Sequence, residues 1–300
     1  MHATQQRPAE ASGTFTIGSD LTVYRLGFGS MRLTGPGIWG PPRDKQEALR
    51  VLRRAPELGI NLIDTADAYG PDVAESLIAE ALYPYPRGLV IATKGGLTRP
   101  GPDQWIPDGR PQHLREALEG SLRRLRLDRI DIYQFHRPDP NVPFEDSVGV
   151  LAAMRAEGKI RHVGLSNVTI DELARAQTIV PIVTVQNHYN LADRRSERMD
   201  EVQSEQMIDI CARQGIGFIP WSPLTAGQLT RAGGPLDQIA RQHNARPSQI
   251  ALAWLLKRSP TLLPIPGTSS VQHLEEDVQG ATIQLPQEEF DTIERAAAGQ

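Results

Sequence analysis

Four polar residues in the first half of the chain carry side chains that could together deliver a proton: Asp64, Tyr69, Lys94 and His136. Three of them end short, mostly apolar segments that are typical of buried β-strands, and Tyr69 lies in the loop that follows Asp64. A phenol has an ordinary pKa of about 10, and a nearby ammonium lowers it. A carboxylate would keep that ammonium protonated, and an imidazole could orient a carbonyl by a hydrogen bond. Taken singly, each residue could instead be a turn or packing residue.

An alternation of short strands and helices is the arrangement that would bring these four side chains together. Eight strands are predicted, at 26–30, 61–64, 89–94, 130–136, 160–165, 182–186, 216–220 and 261–265. Helices are predicted after them, at about 44–58, 72–82, 111–126, 144–157, 170–178, 201–213, 236–243, 248–257, 271–279 and 287–297. Such alternation implies parallel pairing, and eight units favour a closed (β/α)8 TIM barrel over an open doubly wound sheet. All strand C-termini of such a barrel face one mouth, where the four residues would meet.

Segments outside the repeating units complete the predicted organisation. Residues 1–13 are polar and are expected to be loose, whereas 14–24 alternate around a Gly-Ser-Asp turn and predict a β-hairpin. No shift in composition divides the rest, so 14–300 is predicted to be a single domain. Two long loops rich in Pro and Gly, 95–110 and 222–235, would shape the substrate and cofactor sites.

Charge and cysteine content narrow the class of protein. The chain has 32 Lys and Arg against 36 Asp and Glu, a net charge of −4 that gives no reason to expect nucleic acid or an anionic membrane as partner. Cys211 is the only cysteine, so an internal disulfide is excluded and a reducing cytoplasm is favoured. No secretory signal or membrane-spanning run is recognisable. The histidine spacing indicates no metal site.

Several separated motifs resemble those of the aldo-keto reductase family. They are LGFGSM at 26–31, NLIDTA at 61–66, YG at 69–70, TK at 93–94, GLSN at 164–167, VQN at 185–187, WSPL at 221–224 and IPGTS at 265–269. The likeness covers about 14–297. Residues 35–44 and 80–85 are similar to a bacterial branch that includes pyridoxal reductases. A Rossmann site is not indicated, because no Gly-x-Gly-x-x-Gly precedes a helix.

The resemblance implies a (β/α)8 barrel that reduces an aldehyde or ketone to an alcohol, with NADPH as the expected cofactor and NADH as the alternative. Tyr69 would be the proton donor of a tetrad completed by Asp64, Lys94 and His136. The nicotinamide carboxamide would bind at Ser166, Asn167 and Gln186, and its ring would stack on Trp221. All implied cofactor contacts are Gly29, Ser30, Met31, Asp64, Ser166, Asn167, Gln186, Trp221, Ser222, Pro223, Leu224, Gly227, Pro266, Gly267, Thr268, Ser269, Ser270, His273, Glu276 and Asp277.

The adenosine end departs from the family pattern. Many members have Lys and Arg around the 2′-phosphate of NADP, and those positions are Gly267 and His273 here. Three hydroxyl residues, 268–270, with backbone amides at a helix N-terminus, could still bind phosphate. With fewer cationic side chains, the site is expected to attract the 2′-phosphate of NADPH less strongly.

Substrate and physiological role are less constrained. Trp39 and Trp105 are predicted to line the substrate pocket, and pyridoxal is one substrate that the narrower likeness suggests. Two other roles stay open: a regulatory nicotinamide-binding subunit, and a dehydrogenase that works in the oxidative direction. The sequence does not predict the oligomeric state.

Overall fold

A parallel sheet curled into a barrel forms the centre of the computed structural model, which describes residues 7–196, 198–224 and 234–298. An antiparallel hairpin comes first, with β1 at Thr14–Ile17 and β2 at Leu21–Tyr24. Seven parallel strands follow in an order that matches the chain: β3 (Phe28–Gly29), β4 (Leu62–Asp64), β5 (Val90–Gly95), β8 (Ile130–Phe135), β9 (Ile160–Ser166), β10 (Ile182–His188) and β11 (Gly217–Trp221). The predicted barrel and hairpin are confirmed.

The predicted eighth strand, 261–265, lies in the eighth position of the barrel but is not a regular strand. Its backbone hydrogen-bonds to Phe218 of β11 on one side, at 2.8 and 2.9 Å. On the other side, the carbonyls of Pro264 and Pro266 accept hydrogen bonds of 3.0 and 3.1 Å from the backbone next to and within β3. Neither proline has an N–H group, so a complete ladder cannot form. The segment still joins the two edges of the sheet and closes the barrel.

Helices surround the barrel as the sequence predicts. They are α1 (Lys45–Glu57), α2 (Val73–Leu82), α3 (Pro111–Leu125), α4 (Phe144–Ala156), α5 (Ile170–Gln177), α6 (Glu201–Gln214), α7 (Pro235–Gln242), α8 (Pro247–Arg258), α9 (Val271–Val278) and α10 (Gln287–Ala298). Local signals set their ends: Asp44 caps α1 by accepting a 2.9 Å hydrogen bond from the backbone N–H of Glu47. Gly215 ends α6 with φ of 67°, a left-handed conformation that suits glycine.

Two parts of the chain differ from expectation. Pro8–Ser12 form a 3-10 helix rather than a loose segment, because Ala9 is buried and Ser12 Oγ accepts a 3.0 Å hydrogen bond from the backbone of Leu26. The prediction of a loose 1–13 is wrong for these residues, and 1–6 lie outside the described residues. The loop 95–110 contains two short antiparallel strands, β6 (Leu97–Thr98) and β7 (Ile106–Pro107), which the sequence analysis missed.

The barrel interior is filled at the end opposite the strand C-termini. Ile17, Leu21 and Val23 of the hairpin belong to a buried cluster with inward-facing residues of the barrel, such as Leu62 and Val90. The hairpin therefore closes this end, which leaves the C-terminal mouth for a site. A second cluster, between barrel and helices, contains residues from the N-terminal to the C-terminal part of the chain. Within the described residues, no helix has the length and apolar character needed to cross a membrane.

Candidate active site

The ammonium of Lys94 is the centre of the predicted tetrad. Its Nζ donates to Asp64 Oδ2 at 2.7 Å, to the backbone carbonyl of Thr65 at 2.8 Å and to the hydroxyl oxygen of Tyr69 at 3.1 Å. These three acceptors use all three N–H groups of the ammonium. Because the Tyr69 oxygen accepts from Lys94, its own proton stays available for a ligand. The side chains of Lys94 and Asp64 are 0% and 2% exposed, so the ion pair lies in a site without bulk water.

His136 follows β8 and lies beside the phenol. The rings of His136 and Tyr69 have centroids 5.9 Å apart and are nearly perpendicular, at 82°. Burial, followed by the positive charges of Lys94, Arg137 and Arg99, lowers the pKa of His136 well below its usual 6.5. The imidazole is therefore neutral near pH 7. The structure thus brings all four predicted side chains to one mouth of the barrel.

Burial changes the expected acidity of the phenol. The charge of Lys94 and its hydrogen bond lower the pKa of Tyr69, as expected from the sequence, but burial has the larger effect and the pKa is raised overall. For Lys94, burial disfavours the ammonium, but the charges of Asp64 and Tyr69 and the hydrogen bonds to both together outweigh burial, so the pKa is raised. The expectation of a lowered Tyr69 pKa is therefore wrong for the free protein. At neutral pH the site holds a protonated phenol next to an ammonium, a pair suited to giving up a proton once negative charge develops nearby.

Two glutamines orient the carboxylate, and one of them was not predicted. Asp64 Oδ1 accepts from Gln134 Nε2 at 3.1 Å and from Gln186 Nε2 at 2.8 Å. Since a carboxylate only accepts, both amides must turn their NH2 groups toward it. The strand pattern carried a signal for Gln134: it stands two residues before His136, so both face the same side of β8.

Among the described residues, the predicted carboxamide site keeps one donor and one acceptor that no other protein group uses. Gln186 uses its NH2 group on Asp64, which leaves Oε1 to accept from a bound amide. The hydroxyl of Ser166 accepts a 3.1 Å hydrogen bond from Asn167 and keeps its own proton to donate. A carboxamide, with one C=O and one NH2 group, fits this pair.

The side-chain amide of Asn167 forms its hydrogen bonds with other groups of the protein. Its Nδ2 donates to the carbonyl of His136 and to Ser166 Oγ, both at 3.1 Å, and its Oδ1 accepts from Trp221 Nε1 at 3.0 Å. Asn167 has φ of 57° and Ser222 has φ of 60°, left-handed conformations that are uncommon for residues other than glycine. Asn167 thus holds Trp221 and the end of β8 in place, a role that the sequence analysis did not assign.

Further predicted cofactor residues surround this end of the site. Gly29 ends β3, Ser30 and Met31 follow it directly, and Ser222, Pro223 and Leu224 follow β11. Ser30 Oγ is buried and makes no hydrogen bond to another described residue, so a polar ligand group could use it. Gly227 lies outside the described residues.

At the predicted adenosine end, the N-terminus of α9 already has an anionic partner. Glu47 of α1 accepts a 2.8 Å hydrogen bond from the backbone N–H of Val271, while Arg50 contacts its second oxygen at 2.7 Å. Pro266 and Gly267 precede the helix, Thr268 Oγ1 accepts from the N–H of Ser270, Ser269 is exposed, and Ser270 caps α9 by accepting from His273 N. Glu276 pairs with Arg246 at 2.8 Å, and burial raises the pKa of Asp277 to about 6. The carboxylate of Glu47 opposes a phosphate at this helix N-terminus.

Trp39 and Trp105, the predicted substrate-pocket residues, lie on loops around Tyr69. Trp105 makes edge contacts with Tyr69 and His136, with ring centroids 6.3 and 6.4 Å apart. Trp39 is joined to Gly70 by a parallel backbone bridge. Trp105 therefore borders the phenol and the imidazole, whereas Trp39 is placed beside the loop that contains Tyr69.

Comparisons with known proteins show the family to which the chain belongs. The model of the Aldo/keto reductase family matches residues 25–298. An uncharacterized oxidoreductase of Schizosaccharomyces pombe, C215.11c, is 50% identical over 95% of this chain and 90% of its own length. The pyridoxine 4-dehydrogenase of Escherichia coli is 43% identical over 95% of this chain and 98% of its own. The structure of the glycerol dehydrogenase AKR11B4 from Gluconobacter oxydans superposes with a TM-score of 0.81 at 25% identity, over 96% of each chain.

With a family match over nearly its whole length, the chain belongs to the aldo/keto reductase family and is an oxidoreductase.

Proposed function

We propose that this protein reduces an aldehyde or ketone to an alcohol with NADPH, and that Tyr69 supplies the proton. The observation that carries the proposal is the hydrogen bond from Lys94 Nζ to the Tyr69 oxygen, at 3.1 Å, within the buried Asp64 ion pair. A bound nicotinamide supplies the hydride, which no protein side chain can do.

The residues of the mouth have separate parts in this reaction. Neutral His136 donates a hydrogen bond to the carbonyl oxygen and fixes its position beside the phenol. As negative charge develops on that oxygen, Tyr69 transfers its proton, and the ammonium of Lys94 stabilises the phenolate that remains. Asp64 keeps Lys94 protonated and in place. Gln186 Oε1 and the Ser166 hydroxyl would hold the carboxamide, and the ring of Trp221 would cover the nicotinamide.

NADPH is proposed as the cofactor on the family resemblance, and Glu47 is the feature that favours NADH. Exposed Arg50 contacts Glu47 at 2.7 Å and could turn instead to a 2′-phosphate, which would offset part of the repulsion. The single cysteine, Cys211, is buried, and burial raises the pKa of its thiol to about 12, so it is unreactive. An unpaired thiol fits the proposed cytoplasmic location.

Pyridoxal is the substrate that we propose first. Dehydrogenation of pyridoxine at position 4 and reduction of pyridoxal are the same reaction in opposite directions, and the relative from Escherichia coli is named for the former. Trp39 and Trp105, next to the tetrad, offer flat surfaces to an aromatic aldehyde.

Oxidation of an alcohol is the second candidate, since two of the similar proteins are named dehydrogenases. That direction requires the phenolate of Tyr69 as base, and burial raises the pKa of this phenol. Oxidation should therefore need a more alkaline pH than reduction.

A panel of carbonyl compounds that includes pyridoxal, assayed with NADPH and NADH separately, tests the proposal. With cofactor deuterated at C4 of the nicotinamide, the product alcohol should carry deuterium on the former carbonyl carbon. Tight cofactor binding without turnover across the panel would instead support a regulatory nicotinamide-binding subunit. Activity on other aldehydes but none on pyridoxal would remove the substrate assignment alone.

A further inference from the structure

Arg99 is a buried guanidinium that the tetrad does not use. It follows β6 in the loop 95–110, is 8% exposed, and burial lowers its pKa. Among the described residues, no carboxylate forms an ion pair with it. A buried charge without a carboxylate partner must be stabilised in another way.

Backbone carbonyl groups of three different loops accept hydrogen bonds from the Arg99 guanidinium and stabilise its charge. Arg99 Nε donates to Gln104 O at 2.7 Å, Nη1 to Ala68 O at 2.8 Å and Nη2 to Gly37 O at 2.9 Å. Gln104 belongs to its own loop, Ala68 precedes Tyr69, and Gly37 lies in the loop that carries Trp39. One planar cation thus joins the three segments that border the mouth.

The same guanidinium packs over the rings of the two predicted pocket tryptophans. Its Cζ is 3.5 Å from the ring centroid of Trp105 and 5.8 Å from that of Trp39. The cation covers one face of Trp105, whose edge contacts reach Tyr69 and His136 at 6.3 and 6.4 Å. This ring is therefore fixed beside the two groups proposed to meet a carbonyl oxygen.

Close packing between the loops leaves little freedom for Trp105 as long as Arg99 holds them. Gly37 has φ of 69°, and a Cβ atom there would lie 2.7 Å from Cβ of Pro102. The backbone N–H of Asp103 also donates to Gly37 O at 3.0 Å, so the carbonyl of Gly37 serves both Arg99 and the loop 101–106.

We propose that Arg99 is a positioning residue that sets substrate specificity, because it holds Trp105 as an aromatic wall that favours carbonyl compounds with a planar ring next to the carbonyl. The inference rests on the proposed carbonyl reduction. Lysine cannot replace Arg99, since an ammonium lacks the planar fork that reaches three carbonyls while stacking on an indole.

The test compares Arg99→Lys and Arg99→Met with Trp105→Leu, using benzaldehyde and propanal at saturating NADPH. Arg126→Lys is the matched control, because Arg126 also faces an aromatic ring, Tyr83 at 5.5 Å, but on the outer surface. In both Arg99 variants and in Trp105→Leu, the ratio of kcat/KM for benzaldehyde to that for propanal should fall about tenfold, mainly through KM. The double variant Arg99→Lys/Trp105→Leu should lose little more than either single one.

Hydrogen exchange of the backbone amides gives a readout that does not depend on turnover. In Arg99→Lys, peptides covering 35–40 and 101–106 should exchange faster, while the barrel strands should not change. An unchanged substrate ratio in an active Arg99→Lys variant, or an equal loss for both aldehydes, overturns the inference and leaves the proposed function standing. A wild-type protein that reduces neither these two aldehydes nor any other compound of the carbonyl panel overturns the proposed function, whereas unchanged exchange in the two loops of Arg99→Lys overturns the positioning role.

Discussion

The two ends of the proposed cofactor site are built differently. At the nicotinamide end, strand-borne side chains are buried and use nearly every polar atom on one another, from Lys94 through Asp64 to Gln134 and Gln186. At the adenosine end, a half-buried helix N-terminus is shared by a carboxylate from α1 and hydroxyl groups on a loop. A buried network tolerates few changes because each lost partner leaves an unsatisfied group, whereas a network that water reaches is partly screened. We therefore expect large effects at the first end and small ones at the second.

Among substitutions of residues that support the phenol and the cofactor, Lys94→Met should have the largest effect. The substitution leaves the carboxylate of Asp64 buried without its cation, which typically costs about 3–5 kcal/mol of the free energy of unfolding. Turnover should also fall by roughly two orders of magnitude or more, since Tyr69 loses the charge that stabilises its phenolate. Chemical denaturation and steady-state assays measure both, and Asp64→Asn/Lys94→Met should recover part of the stability. Normal stability in Lys94→Met would contradict the ion pair.

A smaller loss of turnover is expected from Gln134→Leu, which removes one of two hydrogen-bond donors to Asp64 Oδ1. A hydrogen bond to a charged group is worth about 1.5–3 kcal/mol, so kcat should drop about tenfold or more while the affinity for cofactor changes little. Gln112→Leu, at an exposed Gln112–Glu116 pair, is the control. Equal behaviour of the two variants would show that Gln134 does not orient the carboxylate.

The stability of the fold should depend on His136 below neutral pH. The folded protein holds this imidazole neutral, with a pKa well below its usual 6.5, so the unfolded chain binds the proton more readily. The contribution of neutral His136 to the free energy of unfolding is fully present above the pKa of this imidazole in the unfolded chain. It is lost as the pH falls through 6.5 toward the lower pKa in the folded protein. Denaturant midpoints measured across this range should fall in the wild type and fall less in His136→Phe. Parallel curves for the two proteins would refute the assignment.

The smallest effect is expected from Glu47→Gln at the adenosine end. Loss of this charge from the N-terminus of α9 should raise the preference for NADPH over NADH by about two- to fivefold, the size of a helix-dipole interaction. Glu57→Gln, at the other end of α1 and paired with Arg54, is the control. An unchanged cofactor preference in Glu47→Gln would mean that Glu47 does not face the 2′ position.

The difference between the two ends of the proposed cofactor site also explains which contacts could be predicted from the sequence. Asp64, Lys94 and His136 end apolar strands, so strand pattern and barrel topology were enough to bring them together. Gln134 bonds to a residue 70 positions away, and Glu47 to one 224 positions away, so no local pattern reveals either contact. The raised pKa of Tyr69 depends on burial by loops such as the one carrying Trp105, whose conformation the sequence does not give. The eighth strand was predicted at the right place, but its prolines prevent a regular ladder.

Tyr69→Phe separates proton donation from cofactor binding, because it removes only the phenol oxygen from an otherwise intact site. NADPH affinity, measured by fluorescence titration, should match that of the wild type, because no cofactor contact proposed here involves the phenol oxygen. Turnover of a carbonyl compound that the wild type reduces should fall by roughly 10²–10⁴-fold, the usual contribution of a general acid. Undiminished turnover with unchanged cofactor binding would show that Tyr69 is not the proton donor.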